Sequence, residues 1–182
     1  MIFFTADCHL GHTNIIKYCN RPFDTVEQMD ETIIANWELV ITSSDTVYFL
    51  GDFCFGGPQV SILADLPFEH MVFVEGNHDP MSKLKALKDP RVEFCKETTI
   101  ELEGREFFLT HNPMDASDEL PNICGHVHEN WTFLRAGEYC TEKNSKMMVV
   151  KRRLKQPVLN VGVDRHNFRP ISAEDVLQYF NQ

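Results

Sequence analysis

Three short apolar runs, at residues 2–6, 46–50 and 71–74, constrain the fold more than any other feature of this 182-residue chain. They are rich in β-branched and aromatic side chains, too short for helices, and each stops at a polar turn. Between the first two, Val26, Met29, Ile33, Trp37 and Val40 recur at intervals of three and four, the period of an amphipathic helix. Asp24 with Glu27, and Thr25 with Gln28, both have capping-box spacing at its start. Pro58 is placed to open a shorter helix that reaches Leu66. Strand, helix, strand, helix, strand in that order implies parallel pairing, because parallel strands need a crossover.

Past residue 92 the texture changes. Residues 92–102 and 106–110 flank Glu103-Gly104-Arg105 as a hairpin would, and short apolar runs recur around Ile123 and at 158–161. Ser172-Ala173-Glu174-Asp175 is a further cap pattern, followed by Val176, Leu177 and Phe180 of a closing helix. No repeat, low-complexity tract or Gly/Ser linker interrupts the chain, so one α/β domain over residues 1–182, with two sheets, is expected. A chain of this length buries roughly 70% of its unfolded surface. It needs no metal as a staple, and any metal it holds is functional.

The chain carries 17 basic and 27 acidic side chains, a net charge of −10, which excludes a generic nucleic-acid coat or a protein held to a membrane by bulk charge. Six of the basic residues cluster at 143–155 with no acid among them. Such a run is more often a solvated hairpin face than a binding patch. Six cysteines without a CxxC pair suit a reducing, cytoplasmic setting. No apolar run approaches the roughly 18 residues of a membrane span, and the strand-like start followed by Asp7 does not read as a signal peptide.

The metal-capable residues fall directly after the expected strands: Asp7 and His9, Asp52, Asn77 and His78, His111, then His126 and His128. In α/β sheets ligands bind outside the carboxyl ends of the strands, so these groups can meet in one crevice. The i, i+2 spacing of Asp7/His9 and of His126/His128 sends both members of each pair to one side of an extended backbone. Glycine precedes Asp52, Asn77 and His126, which suits tight turns and close approach. A lone histidine after a strand is usually a hydrogen-bonded core or surface residue. Six of the eight histidines, however, lie in or beside these turns, and only His70 and His166 stand apart. Seven oxygen and nitrogen donors (Asp7, His9, Asp52, Asn77, His111, His126, His128) are too many for one ion, and two ions sharing Asp52 fit. The thiolate-free mix suits Mn²⁺, Fe²⁺, Zn²⁺ or Ni²⁺, with Mn²⁺ placed first, and disfavours Ca²⁺. Cys8, Cys54 and Cys124, beside the motifs, read as packed thiols.

In order, DxH (Asp7, His9), GD (Gly51, Asp52), GNHD (Gly76 to Asp79), His111 and GHxH (Gly125 to His128) resemble the full signature of the calcineurin-like metallophosphoesterase family. The likeness covers about the first 130 residues. Leu10-Gly11-His12-Thr13-Asn14 and Asn160-Val161-Gly162-Val163-Asp164 resemble its small, uncapped bacterial and phage-type members. The resemblance implies a four-layer α/β/β/α sandwich of two mixed sheets around a dinuclear centre. It also implies Asp7, His9 and His128 on one ion, Asn77, His111 and His126 on the other, and Asp52 between them.

On this reading two divalent ions activate a bridging hydroxide for in-line attack on a phosphate ester. His78, the motif histidine left without an ion, is expected to protonate the leaving alcohol, with Asp79 orienting its ring. His12 and Arg21 are expected to contact the phosphate, a surface salt bridge being the alternative for Arg21. A small phosphodiester, nucleotide-like or otherwise, is the favoured substrate. Two alternatives remain: a nuclease that uses the 143–155 stretch on polynucleotide, and a non-catalytic scaffold on the same fold.

Overall fold

The structure is a computed structural model that describes residues 1–143 and 148–181, without the Lys143 side chain. Strands β1 (Ile2–Thr5), β2 (Thr46–Phe49), β3 (His70–Val74) and β4 (Val92–Cys95) run parallel. The short β12 (Ile171–Ser172) joins the outer edge of β1 antiparallel. A second mixed sheet has the order β5 (Glu97–Leu102), β6 (Arg105–Thr110), β7 (Asn122–Cys124), β11 (Val158–Asn160), β8 (Phe133–Leu134), with β6, β7 and β11 parallel. The two mixed sheets expected from the sequence are therefore present.

The crossovers of the first sheet carry helices α1 (Thr13–Tyr18), α2 (Val26–Glu38), α3 (Ile62–Asp65) and α4 (Met81–Ala86). Thr25, one of the two expected caps, opens α2 by accepting from the Gln28 amide. The helix stops at Glu38, so Val40 packs from the following turn rather than from the helix itself. Pleating sends successive strand residues to opposite faces. Phe3, Val47, Phe49 and Phe73 pack under the helices with Met29, Ile33, Trp37 and Leu63. Phe4 and Val74 face the second sheet with Phe107, Leu109, Ile123 and Leu159. The buried Trp37 indole donates to the Pro67 carbonyl (3.1 Å), so its burial leaves no unmet donor.

The outer face of the second sheet is covered by a hairpin of β9 (Tyr139–Lys143) and β10 (Val149–Arg153), together with the 3₁₀ turn Pro113–Asp115. Cys140 and Leu154 pack there on Cys124 and Val158. Helix α5 (Ala173–Phe180) instead seals the seam between the sheets, burying Val176 and setting Phe180 edge-on to Phe107 and Phe133.

The run at 92–102 is not one strand. It breaks at Lys96: β4 pairs with β3 in the first sheet, and β5 pairs with β6 in the second. On both sides of the polar break the even positions, 92 and 94 and then 98, 100 and 102, are the inward ones, so no change of period marks it. The expected hairpin survives as β5 and β6 around Glu103-Gly104.

Ser172 accepts from the Asp175 amide while the Asp175 carboxylate takes the Ser172 amide, a complete capping box on α5. Ser172→Ala should cost about 1 kcal/mol. Urea unfolding should show a lower midpoint at unchanged slope.

Candidate metal centre

The turns leaving β1, β2 and β3 and those leaving β6, β7 and β11 emerge at the same end of the two sheets, because the strands within each set are parallel. A parallel bridge between Ala6 and Gly162 ties the end of β1 to the end of β11. At this seam the structure brings all seven predicted donors together. Five of them have left-handed backbone: Asp7 (φ 59°), His9 (51°), Asp52 (60°), His126 (73°) and His128 (48°). Non-glycine residues rarely adopt such angles, and strain of this kind persists where the surroundings hold it for a purpose.

The donors form two adjoining sets. In one, ligand atoms of Asp7, His9 and His128 lie within 4.8 Å of one another. In the other, Asn77 Oδ1 is 3.0 Å from His111 Nε2 and 3.0 Å from His126 Nδ1, and those two nitrogens are 3.3 Å apart. Asp52 Oδ2 faces both sets, 3.3 Å from His9 Nε2 and 3.4 Å from His111 Nε2. Among the described residues that buried oxygen has no hydrogen-bond partner, and neither do the two ring nitrogens of buried His9. Donors bonded to one ion at about 2 Å stand roughly 3 Å from each other, so this arrangement fits a divalent cation.

Neighbouring groups fix the ring orientations. His111 Nδ1 donates to the Leu50 carbonyl (2.7 Å), leaving Nε2 its lone pair for the cluster. His126 turns Nδ1 toward Asn77 and Nε2 toward Glu142 on β9 (3.3 Å). His128 Nδ1 donates to Asp164 (3.0 Å).

Burial raises the Asp52 carboxyl, but the His111 and His9 rings that face it at 3.4 and 3.3 Å outweigh it and hold the group well below the usual carboxylate range. Burial pushes Asp7 up to about 6, although His128 and His111 pull the other way. For His9 burial dominates and lowers the ring to about 4, which keeps it neutral with one ring lone pair available to a cation. His111, raised to about 9, and His128, raised to about 11, are held up against burial mainly by Asp52 and Asp164. A lone pair that draws a proton this strongly also draws a metal ion.

The tight turns need their glycines. A Cβ on Gly76 would stand 2.3 Å from the Asp52 amide nitrogen and from Asp52 Oδ1, and one on Gly125 would stand 2.8 Å from Asp7 Oδ2.

Two predicted site residues act differently from expectation. Asp79 does not orient the His78 ring; its carboxylate takes the amides of Asp52, Phe53 and Gly76, each at 2.8 Å, and so pins two turns together. Arg21 is neither a phosphate contact nor a surface pair. It is buried, forks onto Asp164 (2.8 and 2.9 Å), and donates to the carbonyls of Cys8 (3.0 Å) and Asp7 (2.7 Å).

His78 is exposed, its ring 5.6 Å from that of His9 and its amide donating to Asp52 Oδ1 (2.8 Å). His12 lies on the same side, 5.6 Å from His9.

The sequence reading missed Asp164 and Glu142. Asp164 follows β11 and obeys the strand-end rule that found the others. Glu142 sits inside a hairpin strand, where no pattern distinguishes it.

In the basic stretch, Arg152 donates to the carbonyls of Met114 (2.6 Å) and Ala116 (2.5 Å), and both Arg152 and Lys155 pair with Asp118. Arg153 reaches the Gly137 carbonyl (3.2 Å). Lys146 and the Lys143 side chain lie outside the described residues.

Removing one partner of a buried, hydrogen-bonded ion pair is costly. Arg21→Met should therefore lower stability by about 3–5 kcal/mol in urea unfolding. A raised KM for phosphate esters at unchanged stability would return Arg21 to the substrate.

Comparison with known proteins agrees with this geometry. Residues 2–155 match the calcineurin-like phosphoesterase superfamily domain. An uncharacterized protein of Methanocaldococcus jannaschii is 35% identical over 97% of this chain and 89% of its own length. The gene 66 protein of Mycobacterium phage L5 is 34% identical over 44% of this chain and 42% of its own. Among solved structures, a protein of unknown function from Aquifex aeolicus superposes with a TM-score of 0.67 at 25% identity, covering 98% of both chains. Among the described residues no helix is long and apolar enough to cross a membrane. The strand-end donors, their order along the chain and the domain match together establish that the chain belongs to the calcineurin-like phosphoesterase superfamily.

Proposed function

We propose that this protein is a metal-dependent phosphoesterase that hydrolyses small phosphodiesters. The observation that carries the reading is the meeting of Asn77, His111, His126 and Asp52 at 3.0–3.4 Å, next to Asp7, His9 and His128. Asp7, His9 and His128 would hold one divalent ion, Asn77, His111 and His126 a second, and Asp52 would serve both. Mn²⁺ is the first candidate, then Fe²⁺, Zn²⁺ and Ni²⁺. Ions held there would supply Lewis acidity toward the phosphoryl oxygens and a water acidic enough to ionise near neutral pH.

The chain's own residues do the rest. Asp79 and Asp7 set the turns that aim the donors, and Glu142 and Asp164 orient His126 and His128. His78 is placed at the open side of the cluster to give a proton to the departing alkoxide, and His12 to contact the phosphate. A group that protonates the leaving oxygen serves alkyl and nucleoside esters, whose alkoxides depart with difficulty.

Intact donors at every motif position support an enzyme over a scaffold. The engagement of Arg152, Arg153 and Lys155 with local carbonyls and Asp118 supports small substrates over polynucleotide. All six cysteines are free thiols, which supports a reducing, cytoplasmic setting.

After chelation, Mn²⁺ readdition should restore hydrolysis of bis-p-nitrophenyl phosphate above that of p-nitrophenyl phosphate. Hydrolysis indifferent to chelation and readdition would end this reading. Asp52→Asn should abolish binding of both ions by elemental analysis, because the charge facing both sets is lost. Loss of a single ion would show that Asp52 does not bridge. His78→Ala should keep both ions and lower kcat about 10²–10⁴-fold with little change in KM, the loss shrinking for good leaving groups. An equal loss on good and poor leaving groups would assign His78 to phosphate positioning.

A further inference from the structure

Among the described residues three clefts meet the donor cluster: one of about 670 Å³ runs past His126 toward Trp131 and Val149, and the other two differ in chemistry. One, of about 310 Å³, is lined by His9, His12, Tyr18, His78 and His128, with Glu129 at its edge. The other, of about 460 Å³, runs from Asn77, His111 and His126 out to Glu75, Asp115 and Glu142. The donors lie between them, so a phosphodiester seated there sends one ester arm into each.

The first cleft has an aromatic wall. The His12 ring stacks face to face on Phe55 (centroids 4.2 Å apart, planes 7° apart), and Tyr18 meets it edge-on at 6.2 Å. Phe55 is 57% exposed and Tyr18 71%, and neither belongs to the cores described above. The wall is nevertheless held in place. The Phe55 amide donates to the Leu10 carbonyl (2.9 Å), and Leu10 and Cys54 form a parallel bridge, so this loop is tied to the one that carries His9 and His12. His12 Nδ1 is buried without a hydrogen-bond partner among the described residues. Apolar rings held in water at the mouth of a cleft, beside an unmet polar atom, mark a surface that a ligand covers.

The second cleft repels anions. Glu75, Asp115 and Glu142 rim it against Lys96, with Glu75 paired to Lys85 (2.6 Å), so the part of the cleft lying beyond the roughly 8 Å over which salt screens an ion at the donor cluster stays net acidic. An arm entering there fits if it is neutral or cationic and is opposed if it carries another phosphate.

We infer that the substrate is a phosphodiester with one planar aromatic arm, such as a nucleoside, packed on Tyr18 and His12, and a second arm without further phosphate. Phe55 acts as a positioning residue by backing His12. This inference rests on the phosphoesterase reading and narrows it, because a polynucleotide would carry phosphate into both clefts.

Calorimetric titration of the Mn²⁺-loaded protein tests it without relying on turnover. Adenosine 5′-monophosphate and ribose 5-phosphate share the phosphate and differ in the base. The former should bind about ten-fold more tightly, toward the lower end of what stacking a base on an aromatic ring contributes. Tyr18→Ala should bring the two affinities within about two-fold, and Phe55→Ala should narrow the gap. Adenosine 5′-diphosphate, whose outer phosphate would extend from the donors into the second cleft, should bind more weakly than the monophosphate, and Asp115→Asn should reduce that difference.

Equal affinity for adenosine 5′-monophosphate and ribose 5-phosphate would overturn the inference, as would a gap unmoved by both aromatic substitutions. Tighter binding of the diphosphate would overturn it in favour of a polyanionic substrate. The two readings fail separately. Mn²⁺-dependent hydrolysis of bis-p-nitrophenyl phosphate with no base preference leaves the phosphoesterase standing without this inference. Base preference without any Mn²⁺-dependent hydrolysis removes the phosphoesterase, and the substrate inference with it.

Discussion

Carboxylates gripped by backbone N–H groups hold this molecule's centre together. Asp7, Asp52 and four imidazoles crowd a buried seam with Asp79 and Asp164 beside them, an arrangement that side chains alone would not keep, since like charges repel and buried polar groups need partners. Asp79 takes three amides from the turns after β2 and β3, and Asp7 accepts the His126 amide through both oxygens (3.0 and 2.9 Å). The first clamp joins turns within one sheet, and the second joins the two sheets. Amides do not titrate and barely move, so each clamp fixes a turn without adding charge. The left-handed angles at Asp7, His9, Asp52, His126 and His128 persist because these turns are over-determined in this way.

The strand-end rule made the donors legible. An apolar run that stops at a polar turn is a local signal, and parallel pairing carries all such turns to one end. What failed was the direction of side chains within a turn. Asp79 follows His78 directly, yet its carboxylate points back to amides, and spacing cannot tell a ring partner from a backbone partner when three N–H groups compete for it. Arg21 read as a surface or substrate cation because its partner, Asp164, lies 143 residues away. The break at Lys96 was hidden because the even positions face inward on both sides of it. Glu142 carries no pattern, since its importance comes from where a hairpin folds back.

The basic stretch shows how charge clustering misleads when it is read without partners. Its arginines serve as donors that fasten the β9–β10 hairpin to the 113–118 segment. The same hairpin delivers Glu142 to His126, so a cover layer and the orientation of a donor ring depend on one another.

The single-residue step at Lys96 reaches beyond topology. With β4 and β5 joined through one residue, and the Ala6–Gly162 bridge fastening the ends of β1 and β11, the sheets are moored to each other at two points beside the donors. Sliding one sheet past the other by a single strand residue would be a step of about 3.3 Å. That is as large as the 3.0–3.4 Å separations within the donor cluster, so the slip would dismantle both donor sets at once. The seam therefore works as a rigid jig whose halves cannot shear, and whatever enters or leaves the centre has to pass through movements of the turns.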